Sequence, residues 1–284
     1  MAASASASSS VRQARQLLAD RLAELRRDAG LTGRELARRC GWHASKSSRI
    51  ENARTAPSAE DIRAWCRVCG AEGRTDDLIA TLRAVEGMFV EWRRLERAGL
   101  RQAQEARLPL YERTRRFRSY SSWLVPGMIQ THAYTTAALE AIRRRRGLVD
   151  DVADAVAARM ERQRVLYEGG RRFAFLVEES VLRSGVGGAD VMSGQLDHLI
   201  VIGALPNVSL GVVPMRPDRA RWPAEGFWIY DAAQVNVELI SGYLTITQPS
   251  EIAMYAETFA ELADLAVYGA RARALIQAAI DTVE

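Results

Sequence analysis

The stretch LTGRELARRCGWHASKSSRIENARTAP (residues 31–57) decides how the amino-terminal part of this chain folds. It reads as two short helices joined by a tight turn. Thr32 is placed to cap the first helix, and Glu35 three residues on completes a capping box. Leu36, Ala37 and Cys40 give that helix an inward stripe, and Gly41 stands where a helix-ending glycine is expected. Trp42, in the turn, supplies an apolar wedge. The second helix is predicted over residues 44–52. Its opening is polar, Ser45-Lys46-Ser47-Ser48-Arg49, and only Ile50 is a clear inward anchor. So thin an apolar stripe makes a poor core element and suits a helix that lies against something polar and negative.

Helices flank this pair on both sides. Leu17, Leu18, Leu22 and Leu25 recur at helical spacing over residues 11–29, with Arg26 and Arg27 in the last turn and Gly30 after it. Pro57-Ser58 opens a fourth helix with Ile62, Trp65, Cys66 and Cys69 inward, and Leu78, Leu82, Val85, Phe89 and Trp92 mark a fifth over residues 75–95. The expectation is an all-α five-helix head over residues 11–95. Before it, MAASASASSS (1–10) is low in complexity and reads as a disordered tail, without the apolar core of a signal peptide. After it, residues 96–110 are arginine-rich, contain Pro109 and read as a linker helix.

A chain of 284 residues has room for two domains. Its charge is uneven. Residues 1–75 hold 14 Lys+Arg and 8 Asp+Glu, net +6, whereas the whole chain is +4, which leaves residues 76–284 at −2. The positive excess therefore lies on the helical head, as phosphate contact requires. Lys46, the sole lysine, falls on the polar helix. No apolar run is long enough to span a bilayer, and the expected location is the cytoplasm. Cys40, Cys66 and Cys69 do not make a disulfide framework. Cys40-x-x-His43 with Cys66-x-x-Cys69 could offer four zinc ligands, but spacings of three on helices equally place thiols on a buried stripe, and that reading is preferred, with no metal expected.

Residues 45–58, SKSSRIENARTAPS, resemble the recognition-helix signature of lambda-repressor-type (Xre-like) helix-turn-helix proteins, with Arg34-Glu35-Leu36-Ala37 at the right distance upstream. The resemblance implies a dimer on double-stranded DNA with this helix in the major groove. Many relatives carry Gln at the start of both helices, where this chain has Gly33 and Ala44. Base reading then falls to Ser45, Lys46, Ser48 or Arg49. Arg34, Arg38 and Arg54 are expected on the phosphate backbone, and His43 and Ala44 complete the DNA-facing set.

Downstream, VPGMIQTHAYTTAAL (125–139) resembles the Val-Pro-Gly-Leu-Leu-Gln-Thr box of an actinobacterial group of antitoxin-like regulators, which join an Xre-like head to a large carboxy-terminal domain of unknown function. Arg159-Met160-x-Arg162-Gln163, VEESVLRSGVGG (177–188) and PNVSLGVVP (206–214) extend the likeness. It implies a small partner protein encoded nearby. The residues themselves predict an extended piece over 117–123, helices over 151–168, 188–203 and 249–267, a helix from Gly269 to the end, and strands over 173–179, 208–214, 227–231, 235–240 and 243–247, with Ser241-Gly242 as a hairpin turn. Helix 188–203 is expected to turn Val191, Leu196, Leu199 and Ile200 inward. Residues 111–284 are thus expected to form an α+β domain.

No catalytic constellation emerges. His43, His132 and His198 lack metal-ligand spacing, and no phosphate-cradling loop is present. Glu178-Glu179 reads as one inward, satisfied carboxylate and one solvated one. The runs Arg115-Arg116-Phe117-Arg118 and Arg143–Arg146 could touch phosphate but read first as a solvated face and a helix C-terminus, and the loop 215–228, with Trp222, is of the kind that often lines a ligand or partner site. The expectation is a non-enzymatic, cofactor-free, sequence-specific transcriptional regulator whose second domain tunes DNA affinity by dimerisation, a partner protein or a ligand. The alternative is an antitoxin-like protein whose main role is binding a small partner.

Overall fold

A computed structural model describes the backbone of residues 4–215, 219, 222 and 225–283, and their side chains except those of residues 4–12, 83, 84, 86–91, 93 and 94. The chain divides into two compact units, residues 1–90 and 91–284. The first is all helical; the second mixes helices and strands.

In the first unit the helices are α1 (Ser4–Asp28), α2 (Gly33–Arg39), α3 (Ala44–Glu51), α4 (Ala59–Val68) and α5 (Thr75–Met88). Leu18, Leu22, Leu36, Ile50, Ile62, Trp65 and Leu82 close its core. Leu17, expected inward, is exposed, because a stripe through Leu18, Leu22 and Leu25 turns it to the opposite side. Helix α1 begins at Ser4, so seven residues of the expected disordered tail are helical; the segment is alanine and serine without Gly or Pro to break the helix that follows. The fifth helix ends at Met88 rather than residue 95, and Phe89–Glu91 is extended (β1). Gly87 weakens the helix there, and the aromatic and β-branched pair Phe89-Val90 favours extended backbone.

The second unit continues with α6 (Trp92–Leu95), α7 (Leu100–Glu105), α8 (Leu108–Arg113) and β2 (Arg116–Ser121). The expected linker is therefore part of the body. Leu100 packs with Leu139, Val152 and Val156, and the Asp151 carboxylate accepts from the backbone N–H groups of Leu100 (3.1 Å) and Arg101 (2.9 Å). Its polar composition concealed one buried stripe, Leu100, Ala103 and Gln104.

Helices α9 (His132–Arg146) and α10 (Val152–Gln163) lead to β3 (Arg172–Glu178). The turn α11 (Glu179–Leu182) and helix α12 (Ala189–Ile202) lead to β4 (Val208–Val213). Strands β5 (Phe227–Tyr230), β6 (Gln234–Glu238) and β7 (Gly242–Ile246) and helices α13 (Pro249–Leu265) and α14 (Gly269–Ile280) complete it. Met192, Gln195, Leu196, Leu199 and Ile202 are the buried residues of α12, while Val191 and Ile200, both expected inward, are half-buried; the inward stripe is centred on Leu196 and Leu199. The strands lie in the order β7-β6-β5-β2-β3-β4. β2, β3 and β4 are parallel, with Phe117 opposite Phe173 and Phe173 opposite Val208. β5 runs antiparallel to β2, and β5–β7 form a meander. β2 is thus the seam between a parallel and an antiparallel half-sheet. The last hairpin turns one residue earlier than expected. Leu239 N–H donates to Gly242 O (2.8 Å), so Ile240 and Ser241 form the loop and Gly242 opens the strand.

Candidate nucleic-acid interface

The turn between α2 and α3 is built by local chemistry. The Thr32 hydroxyl accepts from Glu35 N–H (3.2 Å), and the Glu35 carboxylate accepts from Thr32 N–H (2.8 Å), which completes the capping box. These bonds hold the Glu35 carboxyl below its usual range. Gly41 takes the left-handed conformation (φ +72°), and Trp42 N–H donates to Ala37 O (2.7 Å). Trp42 then leans on Trp65, ring centroids 6.1 Å apart, as the expected wedge. His43 caps α3: its Nδ1 accepts from Ser45 N–H (3.3 Å) and lies 2.8 Å from Ser45 Oγ.

Helix α3 is held at three places. In its middle, Ser47 is buried and donates its hydroxyl toward Gly33 O and Ala44 O (both 3.0 Å), and one turn on Ile50 is buried in the core. Near its start, Lys46 Nζ donates to Asp61 Oδ1 (2.6 Å) and lies 4.5 Å from the centre of the Trp42 ring. At its end, Arg26 Nε donates to Glu51 Oε1 (2.5 Å) while Arg26 Nη1 donates to Leu31 O (2.5 Å). Past the helix, Ala53 N–H donates to Ile50 O and Arg54 N–H to Arg49 O, a Schellman ending with Ala53 in the left-handed slot (φ 51°) where glycine is usual.

The free face of α3 follows from those anchors. Ser45, Ser48, Arg49 and Asn52 are exposed on successive turns, and Arg34, Arg38, His43, Ala44 and Arg54 are exposed around them. The ion pairs of the head among the described residues, Arg26–Glu51 and Lys46–Asp61, engage none of these arginines. Among the described residues, no carboxylate lies within ion-pair distance of Arg34, Arg38, Arg49 or Arg54. Lys46, expected as a base reader, has its charge matched by Asp61, and its side chain is 38% exposed. Residue spacing alone left Asn52 out of the set, although it lies seven positions beyond Ser45 on the same stripe; its side-chain amide donates to Ser48 O (2.7 Å). The roles of Arg26, Glu51 and Asp61 in fixing α3 had no local sequence signal, because their partners come from other helices.

The other candidates fall elsewhere. Burial pushes the Cys69 thiol up to about 11 and raises those of Cys40 and Cys66. Among the described residues, no group of three or more His, Cys, Asp or Glu side chains is placed to hold a metal ion. Glu178 and Glu179 are both buried, which corrects the expected solvated partner. Tyr120 Oη (2.6 Å) and both Arg219 Nη atoms (2.9 Å each) donate to Glu178, and Met215 N–H (3.0 Å) donates to Glu179. In the arginine runs, Arg143 pairs with Glu140 and Arg146 with Glu96, while Arg118 donates to Asp231 O. Half of the loop 215–228 lies outside the described residues; Trp222 is exposed. Among the described residues, no helix is long and apolar enough to cross a membrane.

Comparison with known proteins agrees with this division. Residues 17–81 match the model of a helix-turn-helix domain, and residues 106–278 match that of a domain of unknown function, DUF5753. No curated protein and no solved structure matches the chain.

Proposed function

We propose, from the premise that this chain belongs to the DUF5753 family and carries a helix-turn-helix domain ahead of that domain, that it is a sequence-specific DNA-binding transcriptional regulator of Xre-like type. One observation carries the reading: four exposed arginines with no carboxylate within ion-pair distance among the described residues, Arg34, Arg38, Arg49 and Arg54, surround a helix whose other side is firmly anchored. Such cations have phosphate as a natural counter-charge, and an anchored polar helix fits a major groove.

In this mechanism two copies insert α3 into successive major grooves. Arg49, Ser45 and Ser48 read base edges, with His43 and Ala44 close to the duplex at the start of the helix. Arg34, Arg38 and Arg54 hold phosphates and fix the register. Lys46 serves chiefly to set the pitch of α3 against α4. The second unit tunes affinity, in the manner of antitoxin-like regulators, by pairing copies or by receiving a small partner protein or a ligand.

The test is selection of bound fragments from sheared genomic DNA, followed by titration of one duplex. Wild-type protein is expected to prefer that duplex over scrambled DNA with a steep salt dependence. Equal affinity for all duplexes, or none for any, removes the proposal.

A further inference from the structure

Within the second unit, a cavity of about 120 Å³ opens at the carboxyl end of β2, beside Ser119, Tyr120 and Ser121. This is the seam strand, with β3 parallel on one side and β5 antiparallel on the other. In sheets built from parallel strands, ligand sites gather at strand carboxyl ends where the connectivity changes direction.

The lining is electrically lopsided. Three guanidinium groups face it, those of Arg107, Arg159 and Arg162, against one carboxylate, Glu238, which leaves +2 among the described lining residues. Glu238 lies 3.3 Å from Arg107. Among the described residues Arg159 donates to neutral acceptors, Gln104 Oε1 (3.1 Å) and Gln130 Oε1 (2.8 Å), with Glu238 acting on it at longer range. Arg162, 3% exposed, donates Nη1 to Gln104 O (3.1 Å) and lies over the Tyr111 ring at 4.7 Å, while its Nε meets no acceptor. Ser119, 1% exposed and also lining the cavity, has a hydroxyl without a partner. Burial, with Arg162 and Arg107 nearby, pushes Arg159 down to about 9, a cost that an anion would relieve. Around these groups stand Tyr111 and Trp228, whose rings pack together on one face of the sheet. Buried arginines are ordinarily matched by carboxylates or phosphates; here the one carboxylate of the described lining, Glu238, pairs with Arg107, and none among the described residues pairs with Arg159 or Arg162.

We propose that this cavity binds a small organic oxyanion, its carboxylate or phosphate head on Arg159 and Arg162 and its apolar body against Trp228 and Tyr111. The inference deepens the regulator reading, on which it rests for its biological purpose, because it names the class of ligand received by the second unit. The cavity suits a compact acid about the size of a single aromatic ring, and guanidinium forks favour planar or tetrahedral oxyanions over a lone halide.

The experiment uses the full chain without DNA. Benzoate, phenyl phosphate, inorganic phosphate and the neutral isostere benzamide are titrated by calorimetry, with tryptophan fluorescence as a second readout through Trp228. Benzoate or phenyl phosphate is expected to bind saturably, at least about tenfold tighter than benzamide or inorganic phosphate, and which of the two is tighter assigns the head group. Arg159→Gln is expected to lose about tenfold or more, and Arg159→Lys less. Thermal melting in the absence of ligand checks that each variant folds, and Ser119→Ala gives a second, milder probe of the same cavity. The proposal is overturned if no organic anion binds saturably, if inorganic phosphate or benzamide binds as well as they do, or if folded Arg159→Gln binds unchanged. Because DNA is absent, failure here leaves the regulator reading intact. Anion binding by a chain that grips no duplex would do the reverse.

Discussion

Lys46 Nζ lies 2.6 Å from Asp61 Oδ1, so the sole lysine of the chain joins the helix proposed for the groove to the capping box of the next helix. Ser58 and Asp61 form that box, in which Asp61 accepts from Ser58 N–H at 3.1 Å. One carboxylate therefore caps α4 and anchors α3.

The pair predicts a pH effect. Burial raises the Asp61 carboxyl, but hydrogen bonds from Lys46 and Ser58 outweigh it and bring the group below its usual value of 3.8. A carboxylate depressed on folding contributes stability above its unfolded value and loses it as pH falls through the folded one. Lys46→Met is expected to cost well under about 1 kcal/mol at pH 7, since the lysine is more than a third exposed. The variant should also lose less of its remaining stability below pH 3.8 than the wild type. Denaturant titrations at several pH values measure both.

The same contact separates two residues by their effect on DNA. Arg49→Ala is expected to lose about 1–3 kcal/mol of specific binding, and Lys46→Met distinctly less, with both variants folded. If a gel-shift series ranks Lys46→Met as the more damaging, the anchoring role assigned to Lys46 is wrong.

Ala53 offers a stabilising change. It holds a left-handed backbone at φ 51°, where an L side chain costs about 1–2 kcal/mol. Glycine removes that strain and gives back part of it as unfolded-chain entropy. Ala53→Gly is expected to stabilise the head by roughly 0.5–1 kcal/mol, seen as a higher denaturation midpoint with unchanged slope. A lower midpoint would contradict the described ending of α3.

Arg26 and Glu51 form a two-point pair, 2.5 and 3.3 Å, with side chains 15% and 18% exposed. Glu51→Gln is expected to cost about 1–3 kcal/mol, because it leaves a largely covered guanidinium without its counter-charge. A double-mutant cycle with Arg26→Met should return a coupling energy of at least about 0.5 kcal/mol. Additive losses would show that the contact does not fasten α3.

His198, half-buried on α12, is pushed below its ordinary 6.5 by burial. Folding then favours the neutral ring, so its contribution is present above 6.5 and is lost as pH falls through the lower folded value. His198→Gln should flatten the stability profile of the second unit between neutral and mildly acid pH. An unchanged profile would assign that slope to other groups.

Much of the head was legible because its signals are local. The Thr32–Glu35 box and the Gly41 turn each depend on residues within a few positions of one another, and Trp42 and Ile50 stood out as the apolar residues in a polar stretch. What sequence reading missed depends on distance along the chain. Lys46 looked free because Asp61 is fifteen positions away, and Arg26–Glu51 spans twenty-five. Residues 96–110 looked like a linker because the surface that covers Leu100 comes from Leu139, Val152 and Val156. In the second unit most strands were readable from β-branched runs, but their parallel order was not, since neighbours β2 and β3 are separated by two helices. The cavity at β2 was invisible for the same reason: Arg107, Ser119, Arg159 and Trp228 meet only after folding.

The three anchors of α3 have a thermodynamic consequence. A helix proposed for the groove and fastened at its start, middle and end has little disorder to surrender on docking. Association of the head should therefore show a modest heat-capacity change, set by the contact area alone and lacking the large negative excess of coupled folding.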